Sequence, residues 1–181
     1  MTVRVWRRAA TVASLALSCW IAGCATAPPP AGGVPPLSGR LLVKVAAAAD
    51  QPAQSHSAAF ELSGDEHTGQ MKLMGPLGAQ VALARWGAGG ASLQDAQGTR
   101  EFPDLASLAA ETLGEPLPLG ALMHWLQGRP WAGASHQDQP EGFSQLGWRV
   151  NLAHWSADAL VEATRVDPPG VSVRAKLDRN P

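Results

Sequence analysis

The chain has 181 residues, 45% of them hydrophobic and 16% charged, enough for one domain with an ordinary core and too apolar for an intrinsically disordered chain. Its 14 basic and 15 acidic residues nearly cancel to a formal charge of -1, so the electrostatic footprint of a nucleic-acid binder is missing. Two cysteines, Cys19 and Cys24, lie too close together and too near the N-terminus to staple a domain, which excludes a disulfide framework.

Residues 1–23 read as a signal peptide. Arg4, Arg7 and Arg8 form a positive start and Ala9 to Ala22 an apolar run. Fourteen helical residues reach only about 21 Å, short of the roughly 30 Å hydrocarbon core, so a permanent span is the weaker reading. The run ends in Ile21-Ala22-Gly23-Cys24, which resembles the lipobox of bacterial lipoproteins. That resemblance implies acylation of Cys24, which becomes the new N-terminus; an ordinary cleavage site followed by an unrelated cysteine is the alternative. By the same resemblance Ala25, rather than Asp, after the cysteine favours the outer membrane. Removing Arg4, Arg7 and Arg8 leaves 11 basic against 15 acidic residues, a charge of -4 over 158 residues. On that charge, membrane contact beyond the anchor is expected to be apolar and local.

Residues 24–37 form a Pro/Gly/Ala-rich lipidated tether, and 38–181 the folded domain. In Arg40 to Val45, Leu41, Val43 and Val45 alternate with Arg40, Leu42 and Lys44, a strand pattern. Ala58, Phe60 and Leu62 share one face of another strand, and Val81, Leu83 and Arg85 a face of a third. Leu146, Trp148, Val150 and Leu152 alternate with Gly147, Arg149, Asn151 and Ala153. Val171, Val173, Ala175 and Leu177 do so with Ser172, Arg174 and Lys176. Turn signals at Ser63 to Asp65, Gly75 to Gly78, Gly87 to Gly90, Asp95 to Gly98 and Asp167 to Gly170 separate these runs. Many short, closely spaced strands predict a mainly β, antiparallel sandwich or barrel.

Two helices interrupt the strands. Asp104 caps a predicted helix over Leu105 to Leu113 that Gly114 stops. A second, Leu119 to Gln127, places Leu119, Leu122, Met123 and Leu126 on one arc that Trp125 widens, and Gly128 and Pro130 end it. Their apolar arcs are expected on the concave face of the sheet.

Catalytic and metal constellations fail on spacing. His56, His67, His124, His136 and His154 are scattered without ligand spacing, so no metal is expected. Gly142-Phe143-Ser144-Gln145-Leu146-Gly147 misses G-x-S-x-G by one place and precedes a strand rather than a helix. Ser135, His136 and Asp138 are loop neighbours, a poor source of a triad. Asp65-Glu66-His67 reads as a solvated hairpin tip, and Gly87, Gly89 and Gly90 match no phosphate-binding pattern. No enzyme and no cofactor are expected.

Two features remain. The aromatic residues beyond the signal, Phe60, Phe102, Phe143, Trp86, Trp125, Trp131, Trp148 and Trp155, include no tyrosine, which suits either apolar cavity walls or a filled core. Gly75-Pro76-Leu77-Gly78 is a tight turn with a leucine at its tip, either tucked onto the domain or exposed to touch lipid.

Together these segments resemble the LolB family of outer-membrane lipoprotein receptors, from Ser38 to about Leu177. The matching residues are Ile21 to Cys24, Ser38-Gly39-Arg40-Leu41, Gly75 to Gly78, Leu117-Pro118-Leu119, Trp125 to Pro130, and Gln145-Leu146-Gly147-Trp148 followed by Trp155. Leu62 departs from the tryptophan often found there. The resemblance implies an incomplete, unclosed antiparallel β-barrel with an α-helical lid over an apolar cavity for acyl chains. It implies acceptance of acylated lipoproteins from the periplasmic carrier LolA and their insertion into outer-membrane lipid. Leu77 takes the place of the family's protruding leucine. Leu122, Trp125 and Leu126 on the lid, with Phe60, Trp86 and Trp148 from the strands, are the expected cavity lining of a monomeric receptor lipid-anchored at the periplasmic face of the outer membrane. The competing reading is a structural or interaction lipoprotein of the envelope with a filled β core.

Overall fold

The computed structural model describes residues 36–48, 52–113, 117–165 and 167–179. Cys24, the tether before Pro36 and Gly114 lie outside them. Eleven strands form one sheet: β1 (Leu37–Val45), β2 (Gln54–Gly64), β3 (Gly69–Met74), β4 (Gln80–Gly87), β5 (Gly90–Asp95) and β6 (Gly98–Phe102) precede the helices. After α1 (Leu105–Leu113) and α2 (Leu119–Trp125) come β7 (His136–Gln139), β8 (Gly142–Gln145) and β9 (Trp148–Asn151). A single helical turn, α3 (Trp155–Asp158), leads to β10 (Leu160–Arg165) and β11 (Val171–Leu177).

The strand order is β6-β5-β4-β3-β2-β1-β11-β10-β9-β8-β7, each pair antiparallel. The chain thus runs as two meanders joined where β1 pairs with β11, Val43 opposite Val173. The edges β6 and β7 do not pair with each other, so the sheet is an unclosed barrel, and the helical segment between them in sequence packs into its concavity. Burial follows the period of two: in β11 Val171, Val173, Ala175 and Leu177 are buried while Arg174 and Lys176 are exposed.

α1 has the predicted bounds because Asp104 caps it, its Oδ1 accepting the Ser107 backbone N–H at 2.7 Å. α2 ends two residues before the expected Gln127. The chain leaves it through Gly128 at φ 72°, where an added Cβ would stand 2.6 Å from the Trp155 indole. Gly128 is thus required twice, for a left-handed backbone and for close approach.

Two readings of the sequence are corrected. The alternation over Leu146 to Ala153 is not one strand: Leu146 and Gly147 both have positive φ, 53° and 78°, and form the two-residue turn between β8 and β9. The residues 136–139 are not a loop but the edge strand β7, with His136 and Asp138 exposed and 3.5 Å apart. In β4, Val81, Leu83 and Arg85 share one strand face as expected, and Ala82, Ala84 and Trp86 on the other pack against the core cluster.

Candidate functional site

The concave space is divided by α2, which is buried on two flanks. Trp125, 1% exposed, packs toward the second meander, its ring 6.4 Å from Phe143 and 5.9 Å from Trp148. Gln145, 2% exposed, lies among them with every hydrogen-bonding group engaged. Its Oε1 accepts from the Trp125 indole at 2.8 Å and the Trp131 backbone N–H at 2.9 Å. Its Nε2 donates to the carbonyls of Trp131 at 2.7 Å and Ala134 at 2.8 Å. This half of the barrel is filled, and a fully satisfied buried amide holds the helix to it.

The other flank of α2 is different. Leu119, Leu122, Met123 and Leu126 face the first meander across a cavity of about 840 Å³. Leu105, Leu108 and Ala109 of α1 complete the roof, while Leu41, Val43, Leu62, Met71, Leu73 and Leu93 supply the floor. The space persists because Ala58, Ala82 and Ala84 stand where larger side chains would fill it. Its volume is near the top of the roughly 300–1,000 Å³ range of small-molecule sites, and its walls are mainly apolar, with polar side chains such as Asp95, Arg100 and Glu111 at the border. A filled β core does not fit this geometry.

Of the residues expected to line the cavity, the structure brings three to it: Leu122, Leu126 and Trp86. Trp125 and Trp148 belong to the filled half, because the Trp125 indole N–H needs the buried acceptor that Gln145 provides. Phe60, buried at 1%, shares its strand face with Ala58 and Leu62 but does not border the space. The contributions of β3 to β5, Met71, Leu73, Ala82, Ala84 and Leu93, were missed. Their signal was the weak alternation of small and medium residues in those strands.

Beside the Trp125–Gln145 contact, two polar ties among the described residues hold the roof. Arg100 of β6 bonds Asp95 at 2.9 Å and Glu111 of α1 at 3.0 Å, all three bordering the cavity. His124 of α2 meets Glu66, in the turn between β2 and β3, at 3.1 Å with both side chains mostly buried. The Asp65-Glu66-His67 turn is therefore more than a solvated tip. Glu66 is held below the usual carboxylate range by its own backbone N–H and by His124, with Trp131 acting in the same direction. Asp65 is likewise lowered by the backbone N–H groups of Thr68 and His67. Among the described residues no group of three or more His, Cys, Asp or Glu is placed to hold a metal ion.

Gly75, Pro76, Leu77 and Gly78 form the turn between β3 and β4. The Gly78 N–H donates to the Gly75 carbonyl at 3.0 Å and the Gly75 N–H to Ala79 at 2.9 Å. Pro76 presets its φ and Gly78 takes φ 77°, a rigid closure. At its tip Leu77 is 98% exposed. A bare leucine on a constrained turn has no role in the core.

An unclosed antiparallel half-barrel with a helix-roofed hydrocarbon cavity defines a binding domain for apolar ligands. The family model described as Outer membrane lipoprotein LolB matches residues 38–177. The chain is 30% identical to the outer-membrane lipoprotein LolB of Thiobacillus denitrificans over 95% of this chain and 96% of that one. It is 32% identical to the protein of the same name from Bordetella pertussis, over 82% and 81% of the two chains. The chain belongs to the LolB family of outer-membrane lipoproteins.

Proposed function

We propose that the domain is a lipoprotein receptor of the outer membrane that takes the acyl chains of lipoproteins into the cavity beneath α1 and α2. In this reading a LolA-like periplasmic carrier supplies the cargo, the bilayer receives it, and the domain performs no covalent chemistry. Residues 1–23 serve as a lipoprotein signal, Cys24 as the acylated anchor, and the stretch to residue 37 as the tether. Leu77 touches lipid as cargo leaves.

The observation that carries the reading is the mainly apolar cavity of about 840 Å³. A triacylated protein has on the order of 40 methylenes, and at about 0.8 kcal/mol each their exposure to water costs roughly 30 kcal/mol. Transfer therefore runs from one cavity to another rather than through solution. Because the roof is tied to the barrel at few polar points, α1 can yield to chains while α2 stays fixed by Trp125. The test is binding of a fluorescent hydrophobic probe to the full chain. Displacement by palmitoyl chains supports the reading, whereas no probe binding, or binding insensitive to acyl chains, contradicts it.

A further inference from the structure

Downstream of Gly23 the sequence carries 11 basic and 15 acidic residues, and five of the basic ones gather on one face, with Asp178 just past β11 bonded to Ser38 at its end. On β1, β11 and β9 the exposed residues alternating with the core are Arg40 and Lys44, Arg174 and Lys176, and Arg149. The register gathers them: Arg40 pairs with Lys176, Leu42 with Arg174 and Lys44 with Ser172, while Arg149 lies across β10 opposite Thr164. Among the outward positions of β1, β9, β10 and β11 the one carboxylate is Glu162, which meets Arg174 at 3.3 Å. The middle of this face is a groove bordered by Arg40, Arg174 and Lys176 with Leu42 and Leu160 between them and Asp158 at its edge.

Cations directly opposite each other on paired strands repel, so Arg40 beside Lys176 stabilises nothing in the free domain. The arrangement calls for an anionic counterpart. We propose that the outer face of β1, β11, β10 and β9 is a docking surface for the anionic headgroups of the bilayer that holds the protein. Two facts select a membrane. The face has the charge complementary to anionic lipid, and β1, which carries Arg40 and Lys44, is the strand on which the tether ends. This rests on the reading proposed above, in which Cys24 is the membrane anchor: the 13 residues from Cys24 to Pro36 reach at most about 45 Å when extended, a span that lets this face touch the bilayer. The negative overall charge is no obstacle, because attraction acts within about 8 Å at physiological salt and is felt by the nearest groups. The proposal sets a charged contact beside the apolar, local one expected from net charge.

The test uses the full lipidated chain carrying Thr164→Cys, an exposed position on the outer face of β10, labelled with a fluorophore. Vesicles contain a headgroup-linked quencher with either neutral lipid alone or about 30% phosphatidylglycerol. Flotation with the vesicles reports the anchor independently of the face. Strong quenching is expected on anionic vesicles, and little on neutral ones or when salt rises from about 50 to about 500 mM. Each cation near such a surface is worth about fivefold in association. Arg40→Gln, Lys44→Gln and Lys176→Gln together should therefore weaken docking on the order of 100-fold with an unchanged melting midpoint and flotation. Equal quenching on neutral vesicles overturns the proposal, as does a triple variant that folds, floats and is quenched like the parent. So does shielding of Thr164 that arises only when an acidic carrier protein is added, which makes the face a protein-docking site.

Discussion

The indole N–H of Trp125 is bonded to Oε1 of Gln145 at 2.8 Å, joining the middle helix of the barrel to β8 in a site that water does not reach. This contact decides which flank of α2 is structural and which is free to serve a ligand. With Trp125 committed to the filled half, Leu122 and Leu126 are left as the cavity wall. The helix is a partition first and a lid second.

Gln145→Leu leaves the Trp125 indole, the Trp131 N–H and the carbonyls of Trp131 and Ala134 without their partner. Buried groups left unpaired cost about 1–3 kcal/mol each. A loss of about 3 kcal/mol or more in unfolding free energy is therefore expected in urea titrations. Gln145→Glu keeps both acceptor contacts and loses both donations, and should be destabilised as well. A Gln145→Leu variant as stable as the parent would remove this contact from the account.

Filling the cavity separates binding from stability. Ala84→Phe places a ring into existing space, so the melting midpoint should hold or rise while affinity for a hydrophobic probe falls about tenfold or more. A parallel loss of stability would show that no such space exists beside Ala84.

Leu77→Glu tests the turn. Since Leu77 makes no core contact, stability should change by less than about 0.5 kcal/mol and probe binding should be unaffected. Delivery of lipoprotein from the loaded receptor into vesicles should fall. Loss of uptake and delivery together would place Leu77 in cargo acceptance instead.

The pH response follows from three lowered carboxylates. Asp65 is held down by the N–H groups of Thr68 and His67, Glu66 by its own N–H and His124, and Asp104 by Ser107. A carboxyl whose pKa is lower in the folded state stabilises the fold above its ordinary value near about 4 and ceases to do so as pH falls through the depressed value. The melting midpoint should accordingly drop on acidification below about pH 4, and the drop should be smaller in Asp104→Asn. An Asp104→Asn profile that overlays the parent's would contradict this assignment.

Local signals explain what the sequence made legible. Asp104 and the stripe from Leu105 gave α1 its bounds, and the alternation from Val171 to Leu177 reproduced β11 residue by residue. The turn around Leu77 was visible, but its exposure depends on the absence of a neighbour, which no pattern encodes. Leu146 misled because its alternation with Trp148 continues through a turn whose backbone is left-handed at a leucine. Gln145 was hidden because its partners lie 11 to 20 residues away and meet it only when α2 enters the barrel. The cavity wall was hidden for a related reason: Ala82 and Ala84 matter for the volume they leave empty.

The most direct measurement loads the full chain with a lipoprotein carrying a photoreactive acyl chain, supplied by the carrier, and maps the crosslinks by mass spectrometry. The account predicts crosslinks at Leu122 and Leu126 of α2 and at Met71, Leu73 and Leu93 of the first meander, diminished in Ala84→Phe. Crosslinks confined to the exterior or to the Leu77 turn, with none on these walls, would contradict a receptor that carries acyl chains inside its barrel.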